Sequence, residues 1–154
     1  VLSRFPIVDS VVHDLSPEKH RPVIEATIDV DGTEVSVTSL HLKHTHQEPS
    51  ELQNVQARAL VAAVPTARAI TLGDFNSVPG SEPIRIMESA MRSVETTPGL
   101  TWSMYNEGCS VCKIDTVRVK LDYIFVTKDI AVVESRIGET DGSDHLPVIA
   151  TLEI

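Results

Sequence analysis

Aromatic side chains are scarce in this 154-residue sequence: three Phe, two Tyr and one Trp, 4% in all. So thin a supply argues against a platform that binds single strands by base stacking. The two cysteines are too few to staple a disulfide scaffold. No apolar run approaches the roughly 18–20 residues that a membrane-spanning helix requires. No basic-then-apolar leader opens the chain, so a cytoplasmic location is the expectation. Cations are outnumbered: 13 Lys and Arg face 22 Asp and Glu, for a net charge of −9. That balance opposes sequence-blind gripping of a long phosphate backbone, which needs clustered cations to displace counterions. A phosphodiester substrate remains compatible, because a divalent cation can bring positive charge locally.

What is present is ordinary globular material, 42% apolar and 23% charged, and enough chain for one domain over residues 1–154. Two β-rich runs, Val23–Val30 and Thr33–Leu40, flank Asp31-Gly32, a pair that favours a two-residue hairpin turn. Ser50 with Gln53 three residues on suggests a capping box. Leu52, Val55, Ala59 and Ala62 then recur at helical spacing, with Leu60 and Ala63 widening the stripe, until Pro65 ends the run. Ala67–Leu72 reads as a short strand stopping at Gly73. A second helix is expected from Glu82 to Met91, with Ser81 as N-cap and Pro83 in the first turn. Residues 95–117, rich in Thr, Gly, Ser and Asn, read mostly as loop. Val119–Val126, Ala131–Ile137 and Pro147–Ile154 are further strand candidates. Strands joined by helices make this an α/β or α+β layered sheet protein.

Polar residues interrupt the apolar strands at four ends: Leu40-His41-Leu42-Lys43-His44, Leu72-Gly73-Asp74-Phe75-Asn76, Leu121-Asp122-Tyr123 and Gly142-Ser143-Asp144-His145-Leu146-Pro147. Each has a plain structural reading. His41 alone reads equally as a half-buried core histidine, Asp74 and Asn76 as an Asx turn pair, Asp122 as an exposed charge, and Asp144-His145 as a solvated loop. Their joint occurrence points to a site, because functional residues collect where the strands of one sheet end. Carboxylates, a carboxamide and two histidines are the parts of metal-assisted hydrolysis: oxygen ligands hold Mg²⁺, and an imidazole paired with a carboxylate moves protons.

These motifs resemble the endonuclease/exonuclease/phosphatase superfamily, the group that includes deoxyribonuclease I. Gly73-Asp74-Phe75-Asn76, Leu121-Asp122-Tyr123-Ile124 and Ser143-Asp144-His145-Leu146-Pro147 look like its three C-terminal signatures. Thr38–Leu42 is similar to its strand ending in a histidine, Leu2–Ile7 to its "LSR-x-P-I" strand, and Thr101-Trp102 to its "TW" turn. The resemblance runs in order from residue 1 to 154. It implies a four-layer α/β sandwich of deoxyribonuclease I-like type, and metal-dependent hydrolysis of a phosphodiester by water attack on phosphorus. Carried over by motif, Asp74 orients or deprotonates the water, Asn76 holds a phosphoryl oxygen or the metal, and Asp144 joins Asp74 and Asn76 at the Mg²⁺ (or Mn²⁺) site. His145 meets the phosphate with Asp122 orienting its ring, and His41 assists the leaving group.

The sequence also departs from the family pattern. Members carry an asparagine strand and a metal-binding glutamate ahead of the "LSR" strand, and no acid here matches that glutamate: Asp9, Asp14, Glu18 and Glu25 all come later. The expected domain is therefore an N-terminally truncated portion of the family fold. A homo-oligomer covering the open edge is its structural counterpart, and a catalytically inactive binding or assembly module is the alternative function. The expected substrate is a small phosphodiester, a lipid headgroup or a short nucleic acid.

Cys109-Ser110-Val111-Cys112 is a lone CxxC, whose simplest reading is free thiols, with a local disulfide next. A zinc site would need His44 and His46 to complete it. Those two histidines are expected in a loop. Lys43 reads as a surface lysine or a phosphate contact, and Glu134, Glu139 and Asp141 as an exposed face.

Overall fold

Asp31 and Gly32 both carry positive φ, 51° and 89°, the backbone a tight hairpin turn demands. They join β2 (Val23–Val30) to β3 (Thr33–His41) in antiparallel register, from Val30 opposite Thr33 to Ile24 opposite Ser39. The computed structural model describes residues 1–16, 21–44, 50–95, 99–105 and 116–154. Before the hairpin lies β1 (Ile7–His13), antiparallel to β2. The expected "LSR" strand therefore begins only at Ile7, after Pro6, whose carbonyl accepts the Asp29 N–H at 2.9 Å.

Helix α1 (Glu51–Ala63) carries the chain back so that β4 (Ala69–Asp74) lies parallel to β3. Ser50 caps α1 as expected, its hydroxyl accepting the Leu52 N–H at 3.3 Å. The rest of the helix reading needs correction. The buried face is Gln53, Gln56, Ala57 and Leu60, with Val55 and Ala59 half-buried and Ala62 exposed. Gln53 does not close a capping box, because its amide turns inward to two backbone carbonyls. Helix α2 (Glu82–Ala90) follows with Pro83 in its first turn; the Ser81 hydroxyl donates to the Val78 carbonyl and does not cap the helix.

The segment read as loop holds two strands, β6 (Trp102–Tyr105) and β7 (Thr116–Val119), after the short β5 (Arg92–Ser93). The run expected as one strand from Val119 divides at Lys120-Leu121. Its second half, β8 (Asp122–Val126), enters the large sheet, whose order is β1-β2-β3-β4-β8-β5. Then β9 (Ala131–Ile137) and β10 (Val148–Glu153) pair antiparallel. Cys109, Cys112 and His46 lie outside the described residues.

Alternation along the strands sorts the core into two sides. On one, Val23, Leu40, Tyr123 and Phe125 pack with Leu60 of α1 and Ile84 and Met87 of α2. On the other, Ile70, Ile124 and Val126 meet Val132, Ala150 and Leu152 of the β9–β10 sheet. Helices, large sheet and second sheet are thus stacked in the α/β order expected, as three of the four expected layers, with both helices of the described residues on one face of the large sheet. The second sheet covers the β4–β8 end only, and over β1–β2 the apolar Ile7, Val12 and Ile24 are exposed. Glu134, Glu139 and Asp141 are exposed as read.

Among the described residues Lys120 and Glu95 form a buried ion pair, with side chains only 3% and 5% exposed. Burial lowers the Lys120 pKa and Glu95 opposes that shift. Apart from the Lys120 ammonium, no hydrogen-bond partner meets the Glu95 carboxylate oxygens among the described residues. Replacing Lys120 by methionine would strand a buried carboxylate, so Lys120→Met is expected to lower urea-unfolding stability by about 3 kcal/mol. Adding Glu95→Gln to that variant is expected to return most of the loss.

Candidate functional site

Three strand ends of the large sheet meet at one edge. In parallel register His41 lies opposite Asp74, and across the next ladder Asp74 lies opposite Asp122. Asp74 Oδ1 accepts the Asn76 N–H at 2.7 Å, a tight Asx turn that lets Asn76 adopt φ +48°. Phe75, between them, is fully buried and packs edge-on against Tyr123 and Phe125, so the turn is anchored in the core.

The second half of the site comes from the segment before β10. His145 Nδ1 lies 2.8 Å from Asp122 Oδ2. An ionised carboxylate can only accept, so Nδ1 is the donor and Nε2 is the ring atom left for other chemistry. Asp74, Asp122 and His145 each offer a ligand atom within 4.8 Å of the others. His41 Nε2 approaches Asp74 Oδ2 at 3.4 Å, with His41 56% and Asp74 15% exposed. Burial raises the Asp74 pKa above the ordinary carboxylate value, and Asp122 adds to the rise against the Asn76 N–H. Burial lowers the His41 pKa, and the Asp74 carboxylate opposes that shift.

Of the expected residues, His41, Asp74, Asp122 and His145 are brought together. Asn76 borders them, with Nδ2 donating to the Leu42 carbonyl at 3.0 Å and Oδ1 at 3.4 Å from His44 Nδ1. Asp144 stands apart from the convergent ligand atoms, exposed, its Oδ2 accepting the Trp102 indole N–H at 3.2 Å. Lys43 is tied by its backbone: its N–H goes to Gln56 Oε1 at 3.0 Å and its carbonyl to Gln53 Nε2 at 2.8 Å. Gln53 Nε2 also donates to the Asn76 carbonyl at 2.7 Å.

These two glutamines are the positioning residues that sequence reasoning missed. The available signal was a pair of amides three apart on the helix face completed by Ala57 and Leu60. The donor set fits a hard divalent cation, because two carboxylates whose charges oppose each other in a partly buried cleft are relieved by one.

A family model described as the Endonuclease/Exonuclease/phosphatase family matches residues 1–145. Among solved structures, an endonuclease/exonuclease/phosphatase from Bacteroides vulgatus superposes with TM-score 0.72 at 21% identity, over 97% of this chain and 66% of that one. TDP2 of D. rerio, solved with a single-strand DNA product, gives TM-score 0.72 at 17% identity over 98% and 69%. A mannosyl-6-phosphatase of Bacteroides thetaiotaomicron VPI-5482 gives 0.69 at 18% identity over 97% and 67%. At such identities the likeness establishes the fold. The chain spans 66% and 64% of the length of the first two structures it matches. No curated protein matches significantly. No helix among the described residues is long and apolar enough to cross a membrane.

Proposed function

The chain belongs to the endonuclease/exonuclease/phosphatase family, and from its site we propose that it hydrolyses a phosphodiester by metal-dependent attack of water on phosphorus. The observation that carries this is the meeting of the Asp122–His145 pair with Asp74 at one sheet edge. Asp74, with Asn76 beside it and Asp144 at the rim, would hold a Mg²⁺ or Mn²⁺ ion. When bound, that cation neutralises charge on the phosphoryl oxygens. Asp74 orients the attacking water through its carboxylate. His145, fixed by Asp122, presents Nε2 to the phosphate, as a proton acceptor when neutral and a hydrogen-bond donor when charged. His41, whose pKa burial lowers in the free chain, would take up a proton from solvent beside an anionic substrate and give it to the leaving oxygen. The net charge of −9 favours a small phosphodiester, lipid headgroup or short nucleic acid over a long duplex.

One observation favours a second reading, an inactive binding or assembly module. The apolar Ile7, Val12 and Ile24 of β1 and β2 are exposed on the large sheet. A homo-oligomer closing that face is its natural form. A chromogenic phosphodiester separates the two. Turnover that requires Mg²⁺ or Mn²⁺, stops with EDTA and returns on adding excess metal is the expected result. Turnover equal to the buffer blank in a folded sample would leave the module reading standing.

A further inference from the structure

Resting on the phosphoesterase reading, we propose that Thr101 is a positioning residue that sets the Asp122–His145 pair from both sides. Thr101 is fully buried and lies next to the pair, bonded to the Asp122 backbone. Its hydroxyl oxygen accepts two consecutive backbone N–H groups, from Leu121 at 2.9 Å and Asp122 at 3.0 Å. Its carbonyl accepts the Leu146 N–H at 2.7 Å, one residue past His145. Its own N–H donates to the Val119 carbonyl at 3.1 Å, so the residue is held while it holds others.

The neighbour extends the arrangement. Trp102 pairs with His145 in a single antiparallel bridge, and its indole N–H reaches Asp144. The consequence follows from the chain's route. Asp122 begins a strand of the large sheet, whereas His145 lies in the segment joining β9 to β10 of the second sheet. Their side chains must meet across that divide at 2.8 Å. Thr101 accepts hydrogen bonds on both sides of that divide, from the Leu121 and Asp122 N–H groups at its hydroxyl and from the N–H of Leu146, the residue after His145, at its carbonyl. Lys120 Nζ meets the Asp122 carbonyl at 2.8 Å, so both peptide groups of Asp122 are restrained by buried side chains. Two adjacent N–H donors sharing one hydroxyl oxygen need an acceptor free of a competing role, which a valine of the same shape cannot supply.

The test compares Thr101→Val with Thr101→Ser by two readouts. The first is steady-state hydrolysis of the chromogenic phosphodiester. Thr101→Val is expected to lower kcat on the order of 100-fold with KM nearly unchanged. Thr101→Ser, which keeps the acceptor, is expected to stay close to the parent chain. The second needs no turnover: the downfield proton resonance of the His145 Nδ1–H in metal-free protein, assigned by its loss in His145→Gln. It is expected in the parent and in Thr101→Ser and absent from Thr101→Val.

A folded Thr101→Val chain that keeps the resonance overturns the proposal, as does Thr101→Ser losing it to the same degree. If Thr101→Val does not fold, Thr101→Cys carries the same comparison, its thiol being a poor acceptor of serine-like size. A parent chain without turnover defeats the phosphoesterase reading alone, and the resonance still decides the role of Thr101.

Discussion

Asp74→Asn is expected to abolish turnover, by a thousandfold or more, while making the metal-free protein more stable. On the proposed mechanism the activity loss follows from removing the charge that would hold the cation and orient water, neither of which a neutral amide supplies. The stability gain follows from the sign of the Asp74 shift. Burial raises its pKa above the ordinary carboxylate value, so ionising Asp74 costs folded-state free energy. That cost is absent below the ordinary value, grows as pH rises through the raised one and is complete only above it. The amide removes it and can still accept the Asn76 N–H through its oxygen. Thermal unfolding in EDTA at neutral pH is expected to shift upward by about 2 °C or more. Lowering the pH toward the ordinary carboxylate range is expected to erase the difference. A variant as unstable as it is inactive would mean that Asp74 is a structural residue.

Gly73→Ala is expected to cost at least ~4 kcal/mol, at the exceptional end of single substitutions. Gly73 has φ +138° and lies opposite Leu40 in the parallel β3–β4 register. A Cβ there would fall against the Leu40 carbonyl oxygen, a backbone atom that cannot rotate aside. Relief requires β3 and β4 to separate at the point where they carry His41 and Asp74. Soluble yield and urea unfolding measure the cost. Unchanged stability would show that the two strands lie further apart in solution.

Gly73 also shows why much of the site was legible in the sequence. Its motif combines a backbone constraint, a buried aromatic and two polar ends, and a pattern answering several demands at once is specific. The hairpin at Asp31-Gly32 was equally plain, because left-handed backbone has few residue solutions. The helix faces were not, because the inward face of α1 is polar. Gln53 and Gln56 are buried by virtue of backbone groups supplied from Lys43 and Asn76, far off in sequence. The division at Lys120-Leu121 was invisible for a similar reason. Apolar and polar residues keep alternating through it, as a strand's would, and what separates β7 from β8 is the Thr101 hydroxyl claiming the Leu121 and Asp122 N–H groups. Asp144 was assigned to the metal by motif alone, and its hydrogen bond from the Trp102 indole was not readable from the sequence.

The glutamine face of α1 has one more effect. Amides carry no net charge and do not titrate, so the hold they exert on the His41 and Asn76 segments is indifferent to ionic strength and to pH. The cleft they frame is the opposite, an array of carboxylates and imidazoles whose protonation follows its surroundings. A charge-neutral mount of this kind lets the electrostatics of the cleft vary from one condition to the next while its architecture stays put.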